Sequence, residues 1–254
     1  MNPLDRFSDR VENYVRFRPS YPDALFDFFT SEYPLARDAV VADMGAGTGI
    51  FSRKLLEHGF QVKAVEPNVQ MRLAAKESLS HFRKLELVPQ PAEETSLPDA
   101  SLDAIFAAQA FHWFDPERAR TEWTRILKPG APVFLIWNDR DESASPFLAG
   151  YEKLLQDFGT DYCEVRSQNT EQSDIIQKFF APQPSKLFTA TNVQTFDFEG
   201  LKGRLLSSSY APQPGSPAYE PMMRELKRLF TQTSSANQVA FQYLTRVHHG
   251  RLNS

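Results

Sequence analysis

A single cysteine in 254 residues has no partner for an internal disulfide, so Cys163 fits a reducing compartment and reads as a bystander. The five histidines are scattered, and no Cys-x-x-Cys or His-x-x-x-His pair occurs, which removes the usual spacing of a structural zinc site. No metal is expected. No apolar run approaches the roughly 20 residues that a membrane-spanning helix needs. The opening MNPLDRFSDR carries charge of both signs where a secretory signal has an apolar stretch, so export is not expected and the cytoplasm is. A basic surplus is missing too. The net charge of -4 argues against a surface that tracks a phosphate backbone, so nucleic acid is disfavoured as a partner. Internal repeats and low-complexity tracts are absent. What is present is an ordinary globular composition, 41% hydrophobic and 24% charged, long enough for one decorated domain. Its 18 prolines and 21 phenylalanines imply many short loops and an aromatic-rich interior.

The chain alternates strand and helix. A helix is predicted over 22–32, then a short apolar run over 39–42 enters the turn Gly45-Ala46-Gly47-Thr48-Gly49. Ile50, Phe51, Lys54, Leu55 and His58 follow at helical spacing. Residues 61–65 read as a buried strand followed by a helix through Met71, with Asn68 as its N-cap. Strands are predicted at 85–88 and 102–108, and Pro116 opens a helix that Lys128-Pro129-Gly130 stops before a strand at 132–137. Such alternation implies right-handed crossovers and a parallel sheet covered on both faces. After Trp137 the pattern breaks: residues 139–190 read as a helical insertion. Strands near 188–198 and 239–247 with helices at 199–206 and 218–230 complete the chain. The expectation is an α/β, Rossmann-like fold with a mainly parallel seven-stranded sheet, a final hairpin adding one antiparallel strand. Its single domain divides into a cap (1–36), a core (37–138), the insertion (139–190) and a C-terminal part (191–254).

Open parallel sheets bind ligands at the carboxyl ends of their strands. Asp43 to Gly49 follows the first strand, Glu66 the second, Ala92-Glu93 the third and Gln109 to Trp113 the fourth. A dinucleotide-binding G-x-G-x-x-G would place its third glycine at position 50, but that residue is Ile50. Asp43 would also lie close to a diphosphate, with no cation in the turn to compensate. A cationic ligand suits the turn better. S-adenosylmethionine (SAM), with a sulfonium, an ammonium and a carboxylate, has counterparts for both the acid and the backbone N–H groups. Glu66, 17 residues beyond Gly49, can accept from both ribose hydroxyls, as it would with NAD. Glu93 is placed for an adenine amino group, the Ala92 N–H for a ring nitrogen and Met71 for the ring face, consistent with either nucleoside.

The ordered set Val41 to Gly49, Glu66-Pro67-Asn68 with Met71, Ala92-Glu93, Phe111-His112-Trp113-Phe114 and Leu127-Lys128-Pro129-Gly130 resembles the class I SAM-dependent methyltransferases. It is similar to their type 11-like small-molecule branch, which includes trans-aconitate-type enzymes. Tyr14-Val15-Arg16-Phe17-Arg18-Pro19 also resembles that branch, in which the N-terminal segment closes over the cofactor. The resemblance implies that Asp43, Gly45, Gly47, Glu66, Ala92, Glu93 and Gln109 contact SAM, with Tyr14 and Arg18 contributing. The implied partner is a small organic acceptor whose O, N or C atom receives the methyl group.

His112 sits where an acceptor would approach, either taking a proton from it or shaping the pocket wall with Trp113 and Phe111. Arg16 and Arg18 either bind an anion or face solvent. His248 and His249 are strand neighbours on opposite faces, which speaks against a shared metal. No [Asn/Asp]-Pro-Pro-aromatic turn follows the fourth strand and no Pro-Cys pair occurs, so nucleobase methylation is disfavoured. Two other functions fit the same fold: a nicotinamide-dependent oxidoreductase, and a SAM-binding module without turnover. The insertion 139–190, leaving the sheet beside the proposed methyl group, is expected to form a lid or wall of the acceptor pocket.

Overall fold

The apolar runs of the first half pair edge to edge as expected, in a computed structural model that describes residues 16–162 and 172–252. In chain order the elements are α1 (Ala24–Glu32), β1 (Val40–Met44), α2 (Ile50–Glu57), β2 (Gln61–Val65) and α3 (Val69–Leu79). They continue with β3 (Leu85–Val88), β4 (Ala104–Ala108), α4 (Pro116–Ile126), β5 (Pro132–Arg140), α5 (Pro146–Phe158) and α6 (Gln172–Phe180). The last are β6 (Lys186–Phe196), α7 (Phe198–Leu206), α8 (Tyr219–Thr233) and β7 (Val239–Arg251). The seven strands form one sheet in the order β3-β2-β1-β4-β5-β7-β6. β1 to β5 pair in parallel, whereas β7 runs antiparallel to both β5 and β6. The sheet is therefore mixed.

Local chemistry explains the boundaries. Asn68 Oδ1 accepts from Met71 N at 3.0 Å to cap α3, and Asp115 Oδ1 accepts from the Glu117 and Arg118 N–H groups to cap α4, whose first residue is Pro116. Ser145 and Asp197 cap α5 and α7 in the same way. Alternate residues of each strand feed two cores. Ala42, Met44, Ile105, Ala107, Val133 and Leu135 pack under Trp123 of α4 and Phe179 and Phe180 of α6. Val41, Ala104, Phe106, Phe134 and Ile136 pack under Phe29 of α1 and Phe51 and Leu55 of α2.

Several strands run longer than the apolar pattern suggests. β5 continues through Asn138 and Asp139 to Arg140, and β7 through His249 to Arg251, because the two pair over that whole length and satisfy each other's backbone. Leu102, expected in the fourth strand, lies before β4 and makes only an isolated parallel bridge to Leu127 at the end of α4. The stretch 139–190 is divided between cores. α5 joins α7, α8 and β7 in a third cluster containing Tyr151, Leu154, Leu205, Leu226 and Phe241, while Ile176, Phe179 and Phe180 of α6 return to the Trp123 side. Tyr14 and Cys163 lie outside the described residues. Among the described residues no helix is long and apolar enough to cross a membrane.

Candidate active site

One cavity of about 890 Å³ opens at the carboxyl ends of β1, β2, β4 and β5, where the strand order reverses between β1 and β4. Its lining brings together Asp43, Gly45, Gly47, Glu66, Met71, Ala92, Glu93, Gln109, His112, Trp113 and Arg18, eleven residues from seven separate segments of the chain.

The floor is the turn after β1. Gly45 and Gly47 have φ of 68° and 57°, the left-handed region that side chains avoid. A Cβ at Gly45 would sit 2.6 Å from Ala110 Cβ, so the close approach of this turn to the segment after β4 depends on glycine. A Cβ at Gly47 would meet nothing within 4 Å, and this face of the turn is open to the cavity. Glu66, buried at the end of β2, accepts from Gly47 N through Oε2 and from Asn68 N through Oε1, both at 2.8 Å. One carboxylate thus ties the first turn to the start of α3. Asp43 is 1% exposed and accepts from Ser52 Oγ at 2.6 Å. Burial raises its pKa to about 7, with the Ser52 hydrogen bond opposing and the nearby Glu66 charge adding to the rise. Burial raises Glu66 as well, against the two N–H groups that favour its charged form.

The remaining walls are fixed from outside. Glu122 of α4 accepts from Thr95 N and Thr95 Oγ1 at 2.8 and 2.6 Å while holding Arg125, and Trp123 Nε1 donates to Ala92 O at 2.9 Å. These bonds anchor the loop that carries Ala92 and Glu93. Glu93 Oε1 accepts from Asp115 N at 2.9 Å. Gln109 has φ of 57°, a conformation that costs a non-glycine residue about 1 kcal/mol or more, and its Nε2 reaches Asn138 O at 3.2 Å. His112 and Trp113 lie on a short 3₁₀ turn facing the cavity with ring centroids 4.7 Å apart. Phe111 does not line the pocket. It is 2% exposed and packs edge-on against Phe179, because a 3₁₀ turn sends consecutive side chains to different sides and the most apolar one is drawn into the core. His248 lines the cavity, whereas His249 is buried on the other face beside Tyr33, with Nδ1 2.8 Å from the Tyr33 hydroxyl. Among the described residues no group of three or more His, Cys, Asp or Glu is arranged to hold a metal.

The N-terminal segment crosses the cavity mouth. Arg18 Nη2 donates to Ser207 O at 3.0 Å, Asn192 Nδ2 to Ser20 O at 2.7 Å and Gln194 Nε2 to Phe17 O at 3.3 Å. Tyr21 packs edge-on against Phe51 at 4.8 Å. Beyond the residues anticipated from sequence, the far end of the cavity is lined by Arg140, Tyr162, Arg204, Tyr210 and Tyr243.

The donor set fits SAM. Two buried acids stand at adjacent strand ends, the turn between them carries no cation, and the buried Thr48 Oγ1 on that turn has no hydrogen-bond partner among the described residues. A diphosphate would face the acids unshielded.

The mixed seven-stranded sheet with helices around it is the Rossmann-like methyltransferase fold. This fold is shared with a proposed type II methyltransferase from Anaeromyxobacter dehalogenans, at TM-score 0.68 and 24% identity over 93% of this chain and 99% of that one. It is shared also with a Haemonchus contortus phosphoethanolamine N-methyltransferase solved with phosphomonomethylethanolamine and S-adenosylhomocysteine, at TM-score 0.55 and 16% identity over 99% of this chain and 59% of that one. Residues 42–135 match the methyltransferase domain family. An uncharacterized methyltransferase of Mycobacterium tuberculosis is 39% identical over 65% of this chain and 63% of its own length. One from Geobacillus kaustophilus is 30% identical over 63% of this chain and 80% of its own length. The chain belongs to the methyltransferase domain family. It spans 63% of the length of the mycobacterial relatives it matches.

Proposed function

We propose that the protein transfers a methyl group from SAM to a small organic acceptor. The observation that carries this reading is the pairing of buried Asp43 and Glu66 across a cation-free glycine turn at the strand-order reversal. Glu66 would hold the ribose hydroxyls, Asp43 the cationic end, and Met71 with Ala92 and Glu93 the adenine. When bound, SAM supplies a methyl group already activated by its positive sulfur, so displacement needs alignment more than a catalytic group. The chain's own part is to orient and dehydrate. Trp113, Trp137 and the strap of residues 16–21 exclude water, and Tyr162, Ser173 and Ile176 bring the segment 139–190 into the cavity wall. His112 faces the acceptor side, where its imidazole either removes a proton from a hydroxyl or amine or only bounds the pocket.

Glu66→Ala removes charge-assisted hydrogen bonds worth roughly 1.5–3 kcal/mol, so calorimetry is expected to show SAM binding weakened by about one to two decades. NADH is expected not to compete. Unchanged SAM affinity in the variant, or tight NADH binding by the parent, would overturn the reading. His112→Ala is expected to lower turnover without weakening SAM. If the histidine is the base, the parent's rate falls as it protonates and the variant loses that dependence; equal turnover removes His112 from the site.

A further inference from the structure

Arg204, on α7, is 3% exposed and lines the cavity, yet no carboxylate meets it among the described residues. Its Nη1 lies 3.2 Å from Ser208 Oγ and 3.4 Å from Ser207 Oγ, and its Nε 3.4 Å from Tyr243 Oη. Nη2 has no hydrogen-bond partner among the described residues. A buried guanidinium balanced only by hydroxyls is costly unless something else supplies the negative charge. A second buried guanidinium stands nearby. Arg140, at the end of β5, places Nη2 2.7 Å from Tyr162 Oη and 3.3 Å from Glu152 Oε2, with Nη1 3.4 Å from Tyr210 Oη. Among the described residues Glu152 is the one carboxylate that pairs with either, and its Oε2 also accepts from Tyr162 at 2.5 Å. Arg18 adds a third positive charge on the same lining.

Tyr210 lies among these guanidinium groups. Burial by itself would raise its phenol, but Arg140, Arg204 and Arg18 pull the pKa down to about 7. The cavity is thus divided: two buried acids stand at the turn after β1, and buried arginines and phenols cluster at the far end, with Asp139, paired to Arg246, and Glu142 also on the lining.

We propose that the far end is the acceptor's anchoring subsite and takes an oxyanion, a carboxylate or a phosphate group, held by Arg204, Arg140 and the Tyr210 hydroxyl. The assignment rests on the methyltransferase reading and names the class of acceptor within it. Planar guanidinium groups match the oxygen geometry of either anion, and phenol hydroxyls complete its hydrogen bonds. An anchor at this end leaves the rest of the acceptor to extend toward the methyl-transfer region beside His112 and Trp113. Tyr210 then has a second consequence. Facing it are Arg140 from β5, Arg204 from α7, Arg18 from the strap, Tyr151 from α5, Tyr162 beyond it and the Ser208 hydroxyl, with Tyr243 of β7 on the Arg204 guanidinium. Once ionised, its phenolate takes up the positive charge that the acceptor would otherwise use, so anion affinity falls as pH rises through about 7.

The test is calorimetry on the protein saturated with S-adenosylhomocysteine, using succinate, inorganic phosphate and the neutral succinamide as probes. Succinate or phosphate is expected to bind and succinamide not; the stronger of the two anions tells which oxyanion the subsite takes. Arg204→Gln is expected to weaken that anion at least tenfold while S-adenosylhomocysteine affinity stays within twofold. Succinate affinity in the parent should drop between pH 6.5 and 8.5, and Tyr210→Phe should abolish the drop. If Arg204→Gln does not fold, the parent probes and Tyr210→Phe decide. Equal binding of succinamide, no binding of either anion, an unaffected Arg204→Gln, or a pH-independent parent would overturn the subsite. So would parallel loss of cofactor in a folded Arg204→Gln, which would give the arginines to SAM's own carboxylate. Intact cofactor binding in any of the other failures leaves the methyltransferase reading standing.

Discussion

Asp43 is the residue on which charge and ligand meet most directly. Its carboxyl is held near pKa 7 by burial, so at neutral pH the ligand-free protein carries it about half protonated. A cation placed beside it stabilises the charged form and lowers that pKa. Binding of SAM is therefore expected to release a fraction of a proton near pH 7, and affinity is expected to weaken as pH falls below it. Titrations of SAM in buffers of different ionisation enthalpy measure the proton count directly. A count of zero between pH 6 and 8 would mean that Asp43 does not sense the cofactor's charge. Asp43, Glu66 and the glycines were legible in the sequence because their placement follows from local grammar: strand, tight turn, helix start. Arg140, Arg204 and Tyr210 were not, since they come from β5, α7 and the turn after it and converge only when β7 is laid against β5. The one local mark was Arg204 directly before the apolar pair Leu205-Leu206, in a helix that also carries Lys202.

At the scale of elements, the strap of residues 16–21 depends on a gap in α7. A Cβ on Gly203 would lie 2.1 to 2.5 Å from three ring atoms of Phe17, so the ring is seated where a side chain would stand. Gly203→Ala keeps a helix-compatible backbone and even gains about 1 kcal/mol in helix propensity, yet it must displace Phe17. Arg18, next to Phe17, moves with it and loses its hold on Ser207 O. The variant is expected to bind SAM several-fold more weakly and to be cut faster by protease within residues 16–21. A variant identical to the parent in both respects would show that the strap is not coupled to the site. The strap itself was anticipated through family likeness, not through pattern, because a short polar segment carries no periodicity. The helices of the 139–190 stretch were anticipated as a group, but not their division. Ile176, Phe179 and Phe180 of α6 match the core under Trp123, whereas Tyr151 and Leu154 of α5 match Phe241 and Leu226. Nothing in an amphipathic helix announces which of two apolar faces it will cover.

For the whole molecule, two buried groups give stability opposite slopes against pH. Asp43 has a folded pKa of about 7 against 3.8 unfolded, so the folded state holds more protons between these values and stability falls as pH rises through that window. His249, buried beside Phe134 and Tyr33, has its pKa lowered to about 4 from 6.5. Here the unfolded state holds more protons, and stability falls as pH drops from 6.5 toward 4. Between pH 4 and 6.5 the two slopes oppose each other, and separate substitutions expose them. Asp43→Asn retains an acceptor for Ser52 Oγ and removes the charge. Its stability relative to the parent is expected to rise from pH 4 to 7 and level off by pH 8, reaching about 4 kcal/mol. His249→Phe, neutral at every pH, is expected to change the other way, gaining on the parent as pH is lowered from 6.5 to 4. Urea denaturation of the three proteins at a series of pH values measures both differences, with the remaining titrating groups cancelling in each comparison. If Asp43→Asn is more stable at pH 8 but no longer binds SAM, the buried acid is a destabilising feature of the fold that the cofactor's charge offsets. A pH-independent difference between Asp43→Asn and the parent would place the Asp43 pKa near its ordinary value and remove the proton release expected on cofactor binding.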